Sequence, residues 1–241
     1  MKKLLAVLLA LLMVLFSVNL ATAEEASGVK AGDIITFGRY PQTAEGTDQT
    51  PIEWIVLDVQ DGKALLISLY GLDAKPYYPE LADVTWEDCS LRNWLNSDFL
   101  NAAFTPEEQA AIPVTEVDNS ADQGFSEWHS ISGNNTQDQV FLLSCTEANR
   151  YFGVTVEDKN NLKARIQPTA YAVGNGAFAS SNYMTESGAD SGWWWFRSSG
   201  NNQFDAACVE YDGSLISGNV FNDFVCVRPA LWIDLESEAF K

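Results

Sequence analysis

The residues best suited to molecular recognition lie near the end of the chain. Two blocks, Trp193-Trp194-Trp195-Phe196-Arg197-Ser198-Ser199-Gly200 and Val227-Arg228-Pro229-Ala230-Leu231-Trp232, resemble strands, and the segment between them is rich in Asn, Asp and Gly. Side-chain amides and carboxylates offer many hydrogen bonds, and glycine permits the tight turns that expose them. This layout predicts a rigid sheet that displays a polar surface, which favours a recognition domain over an enzyme.

The aromatic and basic side chains of these blocks have two interpretations. Side chains alternate across a strand, so Trp194 is expected to face away from Trp193 and Trp195. An exposed indole could stack on a sugar, but most of this aromatic area is expected in the core. Arg197 and Arg228 could bind carboxylates of a ligand or of the protein itself, and an internal salt bridge is favoured for Arg228.

Catalytic chemistry has weaker support in the sequence. His129 is the only histidine. A zinc site built from histidines is therefore excluded, and a Ser-His-Asp triad would have to lie on a loop. A hydrolase with paired carboxylates stays open because the chain has 33 acidic residues, although no pair stands out in apolar surroundings.

The four cysteines allow up to two disulfides outside the cytoplasm. Cys208 and Cys226 are the favoured pair, because they lie on strand-like segments on either side of the Tyr211-Asp212-Gly213-Ser214 turn. Cys89 and Cys145 lie near predicted helix starts and fit buried thiols. One bridge is favoured over two.

Helix starts are predicted at three capping sequences. Thr85 can cap a first helix that has acidic residues in its first turn, and Thr105-Pro106-Glu107-Glu108 begins a second. Ser144-Cys145-Thr146-Glu147 has the spacing of a capping box, and its helix is expected to end near Gly153.

The predicted strands precede and follow these helices. They are residues 32–36, 52–59, 64–69 and 140–143, with a hairpin turn at Asp61-Gly62. Residues 117–139 are polar and predict a long surface loop. A helical turn at 168–172 is followed by alternating strands and turns, so the fold class is α+β, with helices early and a hairpin-rich antiparallel sheet in the C-terminal half.

The first residues have the pattern of a signal peptide. Lys2 and Lys3 precede an apolar run, and Ala21-Thr22-Ala23 supplies a small-residue cleavage site. Residues 1–23 are therefore predicted to be removed, which leaves a single domain, 24–241, with no segment that inserts in a membrane. Cleavage would leave all 33 acidic residues and remove two of the 14 basic ones, giving a net charge of −21. Such a surface repels nucleic acid and anionic lipid.

Several blocks together resemble a known family. They are Gly38-Arg39-Tyr40-Pro41-Gln42, Pro51-Ile52-Glu53-Trp54, Leu91-Arg92-Asn93-Trp94-Leu95-Asn96 and the two C-terminal blocks. Their order and spacing are similar to the bacterial domain-of-unknown-function family 6273. That family in turn resembles the C-type-lectin-like fold, which also occurs in formylglycine-generating enzymes and in the variable receptor proteins of diversity-generating retroelements.

This resemblance implies a position for the ligand. In those receptors a tryptophan-rich strand and a closing strand with an arginine frame an exposed surface, which here falls on residues 199–205 and 218–224. Ser199 stands where the family usually has proline, which predicts a looser loop. Formylglycine-generating enzymes need two neighbouring cysteines for copper. Cys208 and Cys226 are the only candidates and lie outside that motif, so a disulfide or two core thiols are favoured.

A calcium site is the one cofactor site that the resemblance raises. Phe221-Asn222-Asp223 is similar to the Trp-Asn-Asp calcium motif of sugar-binding C-type lectins, and Asn and Asp supply the oxygen ligands that calcium prefers. The partner motif is missing, since Gln167-Pro168-Thr169 lacks the acid. A plain hairpin turn is therefore favoured, and no cofactor is predicted.

The sequence thus predicts a secreted, non-catalytic recognition protein with a C-type-lectin-like fold that binds an extracellular protein or glycan. Two alternatives stay open: a divergent enzyme of the formylglycine-generating-enzyme-like fold or a carboxylate hydrolase, and a structural domain without a small ligand. The oligomeric state is left open. The predicted ligand-binding residues are Trp194, Arg197, Asn201, Asn202, Phe204, Asp205, Asn222, Asp223 and Phe224.

Overall fold

The computed structural model describes residues 28–128, 130–156 and 159–240. The predicted signal peptide and His129 lie outside these residues. The described chain is a mixed α and β structure, mostly sheet, which confirms the predicted combination of elements. No helix in the described ranges is long and apolar enough to cross a bilayer.

The strands are numbered in chain order through the described residues. They are β1 (Ile34–Tyr40), β2 (Thr50–Gln60), β3 (Lys63–Ser68), β4 (Asp73–Ala74), β5 (Thr115–Val117), β6 (Thr136–Asp138), β7 (Val140–Phe141), β8 (Ala179–Met184), β9 (Asp190–Gly192), β10 (Trp194–Ser199), β11 (Asp205–Val209), β12 (Leu215–Asn219), β13 (Cys226–Val227) and β14 (Ala230–Asp234).

The helices are short. They are α1 (Ser90–Trp94), α2 (Leu100–Ala103), α3 (Pro106–Ala110), α4 (Cys145–Phe152) and α5 (Ala170–Gly174), with a π-helical turn at Leu95–Phe99 and 3-10 turns at Ala121–Gln123 and Leu162–Ala164. Capping boxes at Thr105 and Ser144 confirm two of the predicted helix starts. Gly153 ends α4 in the left-handed conformation, as predicted, with φ at 67°.

The start of the first predicted helix was wrong. The helix begins at Ser90, and Cys89 is its N-cap, since the Cys89 Sγ accepts a hydrogen bond from the Arg92 N–H at 3.3 Å. Tertiary contacts hold the preceding segment instead. The backbone N–H of Val84 donates to the carbonyl of Gln203, and the indole of Trp86 donates to Asp138. Local capping preference is overridden by these contacts.

Two five-stranded sheets form the body of the structure. The first has the order β1-β2-β3-β14-β7 with every pair antiparallel. Its β2–β3 hairpin turns at Asp61 and Gly62, which both have positive φ, confirming the predicted turn. The second sheet has the order β12-β11-β10-β13-β4, in which β10 and β13 run parallel, so the C-terminal sheet is not wholly antiparallel.

The predicted surface loop at 117–139 is more ordered than expected. Its ends pair as β5 and β6, with Val117 opposite Thr136. Asp138 is buried. Its carboxylate accepts hydrogen bonds from Thr136 and Trp86 and forms an ion pair with Arg92. Buried polar groups must find partners, and these long-range partners cannot be read from local composition.

The predicted disulfide between Cys208 and Cys226 does not form. All four cysteines are free and buried. Cys208 lies on β11 opposite Trp195, whereas Cys226 lies on β13 opposite Trp194, so β10 separates them and their side chains face opposite sides of the sheet. Two strand spacings are about 9–10 Å, and a disulfide needs Cα atoms within roughly 7 Å.

The thiols are expected to resist modification in the native protein. Burial raises the pKa of Cys89 and Cys145 to about 12, and it also raises the pKa of Cys208 and Cys226. Only the thiolate reacts. A thiol-reactive dye should therefore label all four cysteines in denaturant without reductant and label the folded protein very little. Two reactive thiols in denaturant would instead show a bridge.

Candidate recognition surface

The two predicted loops meet at one end of the second sheet. Residues 199–205 run from the last residue of β10 to the first of β11, and residues 218–224 begin in the last two residues of β12 and continue beyond it. Asp205 and Asn219 are register partners, and the N–H of Val220 donates to the carbonyl of Phe204 at 3.1 Å. We call residues 199–205 and 218–224 the loop surface.

Asp205 holds the loop surface from below. It is only 5% exposed, and its Oδ2 accepts hydrogen bonds from Asn202 at 2.8 Å and from the Ser217 hydroxyl at 3.0 Å. The same hydroxyl accepts from the N–H of Asn201 at 2.7 Å. A Cβ at Gly200 would lie 2.7 Å from the Asp205 Cβ, so only glycine fits there. Asp205 is therefore a positioning residue, not an exposed ligand contact.

Ser199 ties the loop to a neighbouring segment. Its hydroxyl donates to the carbonyl of Ile131 at 2.9 Å, and the Ser130 hydroxyl donates to the carbonyl of Gly200 at 2.5 Å. The first of these is a side-chain hydrogen bond that proline, the residue usual at this position in the family, could not make.

The exposed part of the loop surface contains most of the predicted contacts. Asn201, Asn202, Phe204 and Asp223 are exposed, and Asn222 and Phe224 are half-buried. Phe221 was missed by the sequence reasoning as a contact, although it is 45% exposed. It precedes Asn222-Asp223 in a polar turn, and an aromatic residue in such surroundings is the signal that could have found it.

Trp194 does not belong to an accessible surface. Its side chain is fully buried, and its indole donates to the carbonyl of Ala164 at 2.8 Å. Its ring lies at right angles to Phe196 at 4.7 Å between centroids. The predicted alternation is confirmed, since Trp195 faces the other side and donates to the carbonyl of Lys75. Both faces of this sheet are covered, so both rings belong to the core.

Arg197 is likewise structural. It is 3% exposed and forms an ion pair with both carboxylate oxygens of Glu147. Its remaining donors reach the Asn119 side chain and the carbonyls of Leu142 and Asp118. A guanidinium with five protein acceptors has no free donor for a ligand, and its prediction as a ligand contact was wrong.

Arg228 lacks the internal salt bridge that was favoured for it. No carboxylate in the described part of the chain pairs with it; its guanidinium lies 4.7 Å from the Trp194 ring and 5.0 Å from Phe152, and its Nε donates to the carbonyl of Ser68. Complete burial lowers the pKa of Arg228 to about 9. Cation–π contacts offset part of the cost of burying this charge.

A second group of aromatic rings adjoins the loop surface. Tyr211 is at its centre, with ring centroids 5.3 Å from Phe178, 5.3 Å from Tyr183 and 6.0 Å from Trp193. Trp193 meets Phe224 of the loop surface at 5.4 Å and a right angle. We call these five residues the aromatic cluster. Phe178 is exposed and the other four are half-buried.

Carboxylates border the aromatic cluster. Tyr211 lies between Glu210 and Asp212, and the charge of Glu210, followed by burial and the charge of Asp212, raises the pKa of the Tyr211 phenol. Burial, and then Asp212, raises the pKa of Glu210. The potential at the cluster is therefore negative, which disfavours anionic ligands.

A small recess lies beside the loop surface, between the 119–132 segment and the end of β10. Phe125, Trp128 and Ser130 line it with Arg197 and Ser198. The polar groups at its base already bind other protein groups, since Arg197 pairs with Glu147 and the Ser198 hydroxyl donates to the carbonyl of Gln123 at 2.7 Å. We assign no ligand to it.

The positions of Cys208, Cys226 and Asn222 bear on the copper and calcium sites that the resemblance raised. Cys208 and Cys226 face opposite sides of the sheet, so they cannot bind one copper ion together. Asn222 forms a turn, its N–H donating to the carbonyl of Asn219 at 3.0 Å. Among the described residues, no group of three or more His, Cys, Asp or Glu side chains is arranged to hold a metal ion.

The fold and surface define a mixed α and β domain whose loops and aromatic rings are presented by a rigid double sheet. The chain belongs to the family described as Domain of unknown function (DUF6273), whose model matches residues 61–235. The match begins at the β2–β3 turn, so β1 and β2 precede it. No curated protein and no solved structure is significantly similar to the chain.

Proposed function

We propose that this protein is a non-catalytic recognition domain that binds an extracellular protein or glycan through the loop surface. One observation carries the proposal. Phe204 and Phe221 are 37% and 45% exposed on loops that buried Asp205 and the sheet register hold in place. Exposed apolar side chains that are grouped on a rigid support are typical of binding sites, and the N–H of Val220 bonded to the carbonyl of Phe204 brings the backbones of these two loops together.

The composition of the surface agrees with this role. Asn, Ser and Gly accompany aromatic residues in both loops. Antibody binding sites use the same combination, because rigid aromatic side chains supply contact area and small polar residues supply adaptable hydrogen bonds. Loops carried by a stable scaffold are also where binding function usually lies.

The fold type and the location belong to the same proposal. A C-type-lectin-like arrangement accounts for a C-terminal strand, β14, that returns to the first sheet and lies between β3 and β7. Export by a cleaved signal peptide at residues 1–23 would place the domain outside the cell, where proteins and glycans are the available ligands. Calcium at Asn222 and Asp223 is a subsidiary proposal, and a thermal midpoint raised by calcium over chelator would support it.

The loop surface can be tested by binding. Biotinylated mature protein, assembled on streptavidin, would be applied to a glycan array and to a display library of secreted and cell-surface ectodomains. For any ligand found, Phe204→Ser and Phe221→Ser should each weaken binding at least about tenfold, because exposed aromatic residues at the centre of an interface contribute most of its energy.

Val114→Ser is the matched control. Val114 is 63% exposed but lies just before β5, away from the loop surface in the chain, so this change should leave affinity unaltered. The proposal fails if neither collection contains a ligand, which favours the structural alternative. It also fails if a ligand binds with equal affinity to both phenylalanine variants and the wild type.

A further inference from the structure

The aromatic cluster has polar groups that no protein group satisfies. The indole N–H groups of Trp54, Trp86, Trp194 and Trp195, which are fully buried, all donate to protein oxygens. The Trp193 indole and the phenol hydroxyls of Tyr183 and Tyr211 make no hydrogen bond with any described residue. The rings that carry these donors are neighbours, because the Tyr211 ring centroid lies 5.3 Å from that of Tyr183 and 6.0 Å from that of Trp193.

A purely apolar partner would fit this surface badly. Covering the rings would also bury the three donors, and a buried polar group without a partner costs roughly 1–3 kcal/mol. A ligand that alternates apolar C–H faces with hydroxyl groups meets both needs. Its C–H face packs against the ring faces, and its oxygens accept from the indole and the phenols. Carbohydrate is the chemical class with this alternation.

The charge around the aromatic cluster limits which carbohydrates could bind there. Glu210 and Asp212 flank Tyr211, and Asp223 precedes Phe224. Arg165 is the only cation over a cluster ring within the described residues, at 5.3 Å from Tyr183. Its Nε and Nη1 donate to the backbone carbonyls of Asp212 and Met184, and its Nη2 donates to the Asn160 side chain, so none of these acceptors is a carboxylate. The carboxylates therefore remain unneutralised, which repels uronic, sulfated or phosphorylated sugars.

Backbone contacts hold the residues of the aromatic cluster in fixed positions. Phe178 donates its backbone N–H to the carbonyl of Phe224 at 2.9 Å, which joins the residue just before β8 to the loop surface. Gly213, with φ at 88°, lets the Tyr211 turn approach the backbone of Asn161 closely. A pre-organised aromatic surface loses little entropy on binding.

We propose that the aromatic cluster of Phe178, Tyr183, Trp193, Tyr211 and Phe224 is a binding platform for carbohydrates without negative charge. The inference rests on the proposed recognition function and names the ligand class, with Trp193 and Tyr211 as the stacking rings. Binding needs no metal ion, because the contacts are ring faces, ring donors and carboxylate acceptors.

The test is isothermal titration of the mature protein with soluble oligosaccharides. The probes are cello-, manno-, xylo- and N-acetylchito-oligosaccharides, glucosamine oligomers and oligogalacturonate, each in chelator. At least one uncharged or amino sugar should bind, and oligogalacturonate should not. Tyr211→Ala and Trp193→Ala should weaken binding at least about tenfold, and Tyr183→Phe together with Tyr211→Phe, which remove only hydroxyls, about threefold to tenfold.

Met184→Ala is the matched control, because Met184 is an exposed neighbour of Tyr183 that is not part of the cluster. Thermal unfolding would verify that each variant is folded, and the two phenylalanine changes keep the test valid if an alanine variant unfolds. Sugar binding that survives the cluster changes but is lost in Phe221→Ser overturns this inference and leaves the proposed function intact. Absence of binding to every sugar overturns it as well, and the ectodomain screen then decides the proposed function separately.

Discussion

Replacing Arg197 with methionine is expected to destabilise the domain by about 3–5 kcal/mol, because a buried guanidinium is lost together with its ion pair to the 29% exposed Glu147 and three other hydrogen bonds. The guanidinium joins α4, through Glu147, to the 118–119 segment and to the carbonyl of Leu142 after β7. Methionine has similar volume, so the loss is of hydrogen bonds and charge and leaves several buried acceptors without donors. Urea unfolding followed by tryptophan fluorescence measures the change as a shift in midpoint.

Arg228→Met is the matched control for this prediction. Arg228 is as buried as Arg197 but pairs with no described carboxylate. Methionine there removes an expensive buried charge and one hydrogen bond, so the stability should change by less than about 1.5 kcal/mol. If the two variants lose similar stability, the contrast between a paired and an unpaired buried arginine does not hold. A loss below about 1 kcal/mol for Arg197→Met would contradict the structural role assigned to it.

Trp194→Ala is expected to cost about 3–5 kcal/mol as well, the range for truncating a fully buried tryptophan. Its ring contacts Phe196 and Phe152, its N–H satisfies the carbonyl of Ala164, and its face lies against the Arg228 guanidinium. Truncation would therefore leave a cavity, an unpaired carbonyl and a less stabilised buried cation. Calorimetric unfolding of the two proteins gives the difference in midpoint and enthalpy.

Trp193→Ala supplies the comparison at the adjacent position. Trp193 is half-buried and has no protein partner for its indole among the described residues, so its truncation should cost about 1–2 kcal/mol, the value of the apolar area it covers. The two variants also separate stability from binding. Trp194→Ala should lower stability more than Trp193→Ala, whereas only Trp193→Ala should weaken sugar binding at temperatures where both proteins are folded. Equal destabilisation by both changes would contradict the assignment of Trp194 to the core and of Trp193 to the surface.

The candidate site shows how far local patterns extend. The Asn, Asp and aromatic content of residues 199–205 and 218–224 predicted two loops, and the register of β11 with β12 brings them together. Which of their residues face outward was not predictable, because Asp205 is turned inward by Asn202 and Ser217, which lie on different sides of it in the chain. Phe178 and Tyr183 were missed for the same reason, since only the fold brings them to Tyr211.

The cysteines show that the order of strands in a sheet could not be predicted from the sequence. Cys208 and Cys226 lie on either side of a turn, and their separation in the chain permits a bridge. The turn at residues 211–214 instead leads from β11 into β12, and β13 then pairs with the far side of β10. Strand order depends on which faces must be buried together, and this is a property of the whole sheet.

The sequence by itself determined the local features of this protein: the Thr105 and Ser144 capping boxes, the Gly153 helix end, the Asp61-Gly62 hairpin and the alternation of Trp194 with Trp195. These depend on hydrogen bonds and backbone angles within a few residues, which residue type specifies directly. Only the tertiary structure decided that Arg197 pairs with Glu147, that Arg228 stacks on Trp194, and that the aromatic cluster remains partly exposed. Those outcomes depend on burial and on partners distant in the chain. Moving a polar or charged side chain from water into the core is unfavourable unless the fold provides hydrogen-bonding or charged partners for it there.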